Sequence, residues 1–395
     1  MNAPAYDLGP IVHIAVLGAV LASGPLLWLW LRHRGADGAA RLRALTVLAM
    51  FFCFDLVLVG AYTRLSDSGL GCPDWPGCYG SASPIGAHAD IHAAQSAQPS
   101  GPVTQRKAWV EMLHRYLATG VGALITVLAV AAWVVWWRAQ RRGEALPASV
   151  PAWATVTFAW VCLQGAFGAW TVTWKLYPAI VTAHLLGAMV LLALLAAQAR
   201  RAPAAPLALA GGLHAGVYVL CALAALQIAL GGWVSTNYAV LACSDFPTCQ
   251  GAWWPEMDFG HGFTVLRGLG EGRDGGWLPF AALTAIHVTH RAFAVLVLAA
   301  LLVVGIGLWR RRQHDADAGR YAVALLALAA WQFASGLSNV VLGWPLPAAL
   351  AHTGGAAVLV VVLTSLVVRI RQARQARPMP AGATQAPRDA RLHHV

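Results

Sequence analysis

Apolar residues along this chain fall into long runs separated by short polar or basic segments. A helix that crosses a membrane needs about 20 mainly apolar residues. Nine runs reach that length, over residues 11–31, 44–64, 109–137, 151–173, 179–199, 213–235, 280–309, 321–343 and 348–368. Lipid cannot satisfy a bare backbone, and no barrel-like alternation is present, so every run is expected to be helical. The first run has no basic residue before it and is too long for the apolar core of a signal peptide. The expected fold class is an all-α polytopic membrane protein.

Composition agrees with that pattern. Of 395 residues, 58% are hydrophobic and 11% are charged, against about 25% charged in a soluble domain. The balance argues against a soluble enzyme, a disordered chain and a nucleic-acid binder. The net charge of +11 comes from basic residues between the apolar runs. One set of connections, with the C-terminal tail, carries 19 of the 27 Lys and Arg residues, and the other set carries six. The positive-inside rule then places the N-terminus outside and the C-terminus in the cytoplasm. Two long loops, 65–108 and 236–279, face outward in this arrangement. The Arg-rich tail is expected to be disordered and to lie near anionic lipid.

The chain also repeats itself. DLVLVGAYTRLSDSGLGCPDWPGCYG, beginning at Asp55, is echoed by QIALGGWVSTNYAVLACSDFPTCQG, beginning at Gln227. Gly60 pairs with Gly232, Asp55 with Gln227, and Cys72 and Cys78 with Cys243 and Cys249. EMLHR at 111–115 pairs with HVTHR at 287–291, and Gln164, Gly168 and His184 pair with Gln332, Gly336 and His352. Two tandem, pseudo-symmetric four-helix bundles are therefore expected, over 44–199 and 213–368. Residues 1–43 add an extra N-terminal transmembrane helix and its cytoplasmic loop, 200–212 form a linker, and 369–395 form the tail. Both copies run the same way, so their pseudo-twofold axis lies along the membrane normal.

An ionisable side chain within a span is costly and suggests function. His13 and His214 lie near span ends without a repeat partner and are read as structural. His114 and His184 recur as His290 and His352. Each pair lies at similar depth on helices entering from the outside, the arrangement of two axial haem ligands. Zinc is the rival for paired histidines, but it usually takes three or four ligands, and no Cys or carboxylate cluster completes such a set in the spans. Glu111 shares a helix face with His114, and His287 replaces it in the second copy. Arg115 and Arg291 follow the histidines. They could clamp haem propionates, reach outward to the headgroups, or in the case of Arg115 pair with Glu111. Cys72–Cys78 and Cys243–Cys249, on an oxidising face, suit one disulfide per loop. Those pairs act either as staples or as a redox pair for an external dithiol. Zinc held by the first pair with His88 and His92 is disfavoured by the spacing.

Together, TRLSDSGLGCPDWPGC, EMLHR, GGWVSTNYAVLACSDFPTC, THR and ALAHTG resemble the haem A synthase family, of the proteobacterial kind with cysteine pairs in both halves. The likeness covers residues 44–368. It implies an eight-helix enzyme of the bacterial inner membrane that oxidises the C8 methyl of haem O to the formyl of haem A for cytochrome oxidase assembly. It implies haem b as cofactor on His290 and His352, and haem O as substrate at His114 and His184 with Glu111 beside the reacting carbon. Haem O synthase and oxidase assembly factors become the expected partners. The electron partner stays unassigned, and a homo-oligomer stays open. The chain departs from the family pattern in its N-terminal helix, its long loops and His287, a second potential ligand one turn from His290. Two other activities fit parts of the pattern: a b-type cytochrome that only carries electrons, and a quinone-linked thiol oxidoreductase.

Overall fold

The computed structural model describes residues 9–199, 207, 209 and 211–375. Nine helices among them are long and apolar enough to cross a membrane. They are α1 (Gly9–Arg32), α2 (Gly38–Leu65), α4 (Gln105–Arg141), α5 (Ser149–Thr173), α6 (Pro178–Ala199), α7 (Gly211–Thr236), α9 (Phe280–Trp309), α10 (Ala316–Val341) and α11 (Leu346–Gln375). Two short helices, α3 (His88–Ala97) and α8 (Phe259–Gly262), lie in the long loops. No strand occurs among the described residues.

Polar residues in the connections set several helix starts. Asp37 accepts from the Ala40 amide at 2.7 Å, Thr104 from Lys107 at 3.2 Å, and Asp315 from Asp317 at 2.9 Å and Ala318 at 3.2 Å. Each bond satisfies a donor that the first turn leaves unpaired. The helices are apolar nearly all round, and large side chains stay exposed, Val303 by 70% and Leu296 by 56%. Such a surface suits lipid.

Helices α2, α4, α5 and α6 pack in a closed ring, and α7, α9, α10 and α11 pack in another. Contacts of α6 with α7 and α11, and of α2 with α11, join the two groups. Helix α1 lies against α4 and α2, where Gly18 lets Thr119 come close. The apolar cores occupy the end of each group away from the long loops. One is built around Leu45, Ala49, Leu128 and Leu195, the other around Leu220, Leu301, Leu325 and Leu366. The paired histidines lie at the loop end.

The sequence reading began a disordered tail at Arg369. Instead α11 continues to Gln375, because Arg369 is buried and pairs with Asp317 at 2.6 Å. The rest of the tail, 376–395, and most of the 200–212 linker lie outside the described residues.

Candidate functional site

Each of the four repeated histidines faces a glycine on the neighbouring helix. A Cβ on Gly60 would stand 3.0 Å from His114 Cε1, and one on Gly168 would stand 3.6 Å from His184 Cε1. In the second group the distances are 3.1 Å from Gly231 to His290 and 3.2 Å from Gly336 to His352. A side chain at Gly60, Gly231 or Gly336 would press on the ring, and one at Gly168 would touch it. The two rings of each group lie near enough to interact electrostatically. Each ring is half-buried.

These contacts correct the repeat register. Gly231, not Gly232, occupies the place of Gly60, so the offset is 171, as for the cysteines. Gly232 instead packs on Thr182 and Leu185 of α6. In this register Gln227 corresponds to Leu56 rather than to Asp55. Three of the four glycine helices then carry a glutamine one turn before the glycine, as QGAFG, QIALG and QFASG, and the fourth reads LVLVG.

The two groups support their histidines differently. The Gln227 carboxamide lies 3.2 Å from His290 Nδ1. Ser335 Oγ lies 3.0 Å from His352 Nδ1 and donates to the Trp331 carbonyl at 2.7 Å, so it accepts from the imidazole. Phe167 replaces Ser335 in the first group. There the Nδ1 atoms of His114 and His184 are buried without a partner. An acceptor on the second ring nitrogen fixes a metal-binding histidine; Ser335 supplies one to His352, while the Gln227 nitrogen is a donor that bonds the His290 carbonyl at 3.2 Å.

Above each pair sits a loop closed by a disulfide, Cys72–Cys78 or Cys243–Cys249. Asp74 accepts from the amides of Tyr79 at 2.6 Å and Gly80 at 2.8 Å. Asp245 accepts from Gln250 at 2.7 Å and Gly251 at 3.0 Å, and from the Thr248 hydroxyl at 2.5 Å. The Thr248 hydroxyl and these amides hold the Asp245 carboxyl down at about 2. The two aspartates were missed in the sequence, although they repeat at the same offset of 171. All four cysteines are buried, Cys72 and Cys78 completely. Buried sulfur is a poor partner for thiol exchange. Disulfide bonding also removes the first pair as a zinc donor.

The arginines after the histidines hold these loops. Arg115 Nη1 donates to the carbonyls of Asp74 at 2.9 Å, Pro76 at 3.0 Å and Gly77. Its Nη2 donates to Glu111 Oε1 at 2.5 Å. The other Glu111 oxygen accepts from the Cys72 amide at 2.8 Å. Arg291 Nη1 donates to the carbonyls of Asp245 at 2.9 Å and Thr248 at 3.0 Å, and Nη2 to Cys243 at 3.0 Å. Arg115 thus joins Glu111 to the first loop. His287 takes the place of Glu111. Its Nδ1 donates to the Ala239 carbonyl at 2.9 Å, and its Nε2 accepts from Arg291 Nε at 3.0 Å. Both ring nitrogens of His287 are engaged in these hydrogen bonds.

Contacts between residues one repeat apart tie the two groups at this end. Arg64 donates to the Ser235 carbonyl at 2.5 Å, and Tyr238 donates to Asp67 at 2.6 Å, each across 171 residues. These pairs mark the pseudo-twofold axis.

A family model for cytochrome oxidase assembly proteins, COX15-CtaA, matches residues 43–364. The chain belongs to this family. It is 36% identical over 332 residues to a protein of Shewanella oneidensis named haem A synthase, covering 81% of this chain and 93% of that one. A Paracoccus denitrificans protein of the same name is 30% identical over 365 residues, covering 86% and 88% of the two chains. A Halalkalibacterium halodurans haem A synthase is 26% identical over 336 residues, covering 82% and 97%. The COX15-CtaA match spans both histidine pairs and both disulfide loops.

Proposed function

We propose that this protein is a haem A synthase, an oxidoreductase that converts the C8 methyl of haem O to the formyl of haem A for cytochrome oxidase assembly. The two histidine pairs, each ring set against a glycine, carry the reading. Paired imidazoles on facing helices suit haem iron. The glycine cradles fit such a group. Membership of the family supports the activity.

His290 and His352 hold a resident haem b, and His114 and His184 take the substrate haem O. The support is the Ser335 contact with His352 Nδ1, which has no counterpart at His114 or His184. An exchanging substrate suits the less fixed pair. Haem b, when bound, supplies one-electron transfer next to the substrate site. Conversion of a methyl to a formyl group, counted with water as oxygen source, releases four electrons and four protons. Glu111, one turn from His114, is the proton acceptor at its carboxylate oxygens. Arg115 and Arg291 hold the disulfide loops over the two sites and exclude water from them. The loops face the outside of a bacterial inner membrane, with the N-terminus outside and the C-terminus inside. Haem O synthase is the partner that hands over an apolar substrate, and assembly factors receive the product.

An electron-carrying b-type cytochrome would need no difference between the halves. The experiment is expression of the chain with and without haem O synthase, followed by chromatography and mass measurement of the extracted haems. Wild type forms haem A only when haem O is made. His290→Ala and His352→Ala lose haem b. His114→Ala and His184→Ala keep most of it and form no haem A. Loss of haem b from His114→Ala with retention in His352→Ala would reverse the assignment. Absence of haem A from wild type supplied with haem O would overturn the activity.

A further inference from the structure

Gln164 is 93% buried in α5, and neither its amide nitrogen nor its carbonyl oxygen has a hydrogen-bond partner among the described residues. A buried, unpaired carboxamide is costly and calls for an explanation. The side chain lies across Gly187 of α6, where a Cβ would come within 1.9 Å of its nitrogen. Gly187 thus makes room for the amide between the helices. Gln164 is one turn, about 6 Å along the axis, from Gly168, which faces His184.

Gln164 also borders a groove of about 270 Å³ between α5 and α6, its amide buried behind the groove wall. Its other walls are apolar: Trp160, Leu163, Phe167, Ala183, Leu186 and Val190 among them. Leu163 is 40% and Val190 42% exposed, so the groove opens on the lipid-facing surface. The second group is built differently. Trp331 occupies the position of Leu163, and its indole donates to the Ala351 carbonyl at 2.9 Å. The ring lies 2.6 Å from where a Cβ on Gly355, the counterpart of Gly187, would stand. An indole therefore lies over Gly355, where the Gln164 carboxamide lies over Gly187 in the first group.

The geometry points to Gln164 and the α5–α6 groove as the subsite for the hydroxyethylfarnesyl side chain of haem O. This rests on the reading of the first group as the substrate site. Haem O differs from haem B by carrying, where haem B has a vinyl group, a carbon chain with one hydroxyl next to the ring and a long isoprenoid tail. The hydroxyl takes the Gln164 carboxamide as its hydrogen-bond partner, and the apolar tail lies in the groove towards lipid. Haem B, without hydroxyl or tail, leaves the amide unpaired. A site built to bond a hydroxyl rejects the analogue that lacks it. Trp331 takes the equivalent place in the second group and suits that site to a haem without the tail. Gln164 is thus a specificity-determining residue for the substrate.

The test is titration of the purified, haem b-containing chain in detergent with haem O and, separately, haem B, followed by Soret difference absorbance. The as-isolated haem b band reports folding of each variant. Wild type prefers haem O. Gln164→Leu lowers haem O affinity about tenfold, the loss of one buried hydrogen bond, and leaves haem B affinity unchanged. Leu163→Trp, which copies the second group, lowers haem O affinity by tenfold or more and spares haem B. His184→Ala abolishes titration by both haems. If His184→Ala abolishes binding while Gln164→Leu and Leu163→Trp keep the wild-type preference, the subsite is wrong and the substrate site stands. Titration that is independent of His184 overturns both. Unchanged haem O binding in Leu163→Trp together with loss of a co-purified phospholipid would give the groove to lipid instead.

Discussion

Glu111 and His287 occupy matching positions and meet the same arginine with different chemistry. A carboxylate only accepts, so Glu111 takes the Cys72 amide and the Arg115 guanidinium. A neutral imidazole donates from one nitrogen and accepts at the other, so His287 joins the Ala239 carbonyl to Arg291. Only the first site therefore keeps a buried carboxylate. Glu111→Gln preserves size and removes basicity. The expected variant is folded, retains haem b and makes haem A at a rate lower by about 10²-fold or more, as for loss of a proton-transfer group. Extracted haems from matched amounts of protein measure it, and wild-type haem A would remove Glu111 from the chemistry. Asp245 gives a pH prediction at the same scale. Its carboxyl is held down at about 2, below the ordinary carboxylate range, mainly by the Thr248 hydroxyl. A depressed carboxyl stabilises the folded loop above its unfolded pKa, and that contribution fades as pH falls through the folded one. Amide exchange at Gln250 and Gly251, corrected for intrinsic rate, should be flat above about pH 4 and rise towards pH 2. Asp245→Asn should remove that transition.

At the scale of elements, each disulfide loop is pinned from below by a helix. Helix α4 presents Glu111 and Arg115 to the first loop, and α9 presents His287 and Arg291 to the second. Arg115→Leu leaves the Glu111 charge buried without its partner, a loss of about 3–5 kcal/mol where one member of a buried pair is removed. Arg291→Leu leaves no buried carboxylate behind and should cost less. Thermal unfolding in detergent, with limited proteolysis within 65–108 as a local readout, should rank Arg115→Leu below Arg291→Leu. The double variant Glu111→Leu with Arg115→Leu should recover part of the loss. Equal destabilisation by the two single changes would mean that the loop carbonyls, not the ion pair, dominate.

The molecule as a whole is two similar rings of four helices joined near an axis marked by Arg64–Ser235 and Asp67–Tyr238. Both disulfide loops lie at one end, and the apolar cores lie towards the other. From the distribution of basic residues we propose that the loop end faces outside. Reporter fusions at Gly143 and after Gln375 are expected in the cytoplasm, and a fusion near His88 outside. A cytoplasmic signal at His88 would invert the whole arrangement, including the compartment in which the disulfides form.

Hydrophobic run length and the repeat determined the nine helices, the paired histidines and the cysteine loops. Those features were legible because lipid demands long apolar segments, and because the second copy repeats the ligand and cysteine spacing of the first. The register error at Gly232 shows the limit of that reading. Two adjacent glycines are equivalent in a sequence, and only packing against His290 picks Gly231. The partners of Arg115, Arg291 and His287 were equally hidden, because several acceptors lay within plausible reach along the chain. The exchange of Glu111 for His287 was legible in the sequence, but what the other differences between the halves touch was decided by tertiary structure. Ser335 meets His352 while Phe167 meets no such role, and Trp331 lies over Gly355 where Gln164 lies over Gly187. Sequence periodicity states which residues share a helix face. Which neighbouring helix that face meets, and how closely, depends on packing between segments far apart in the chain.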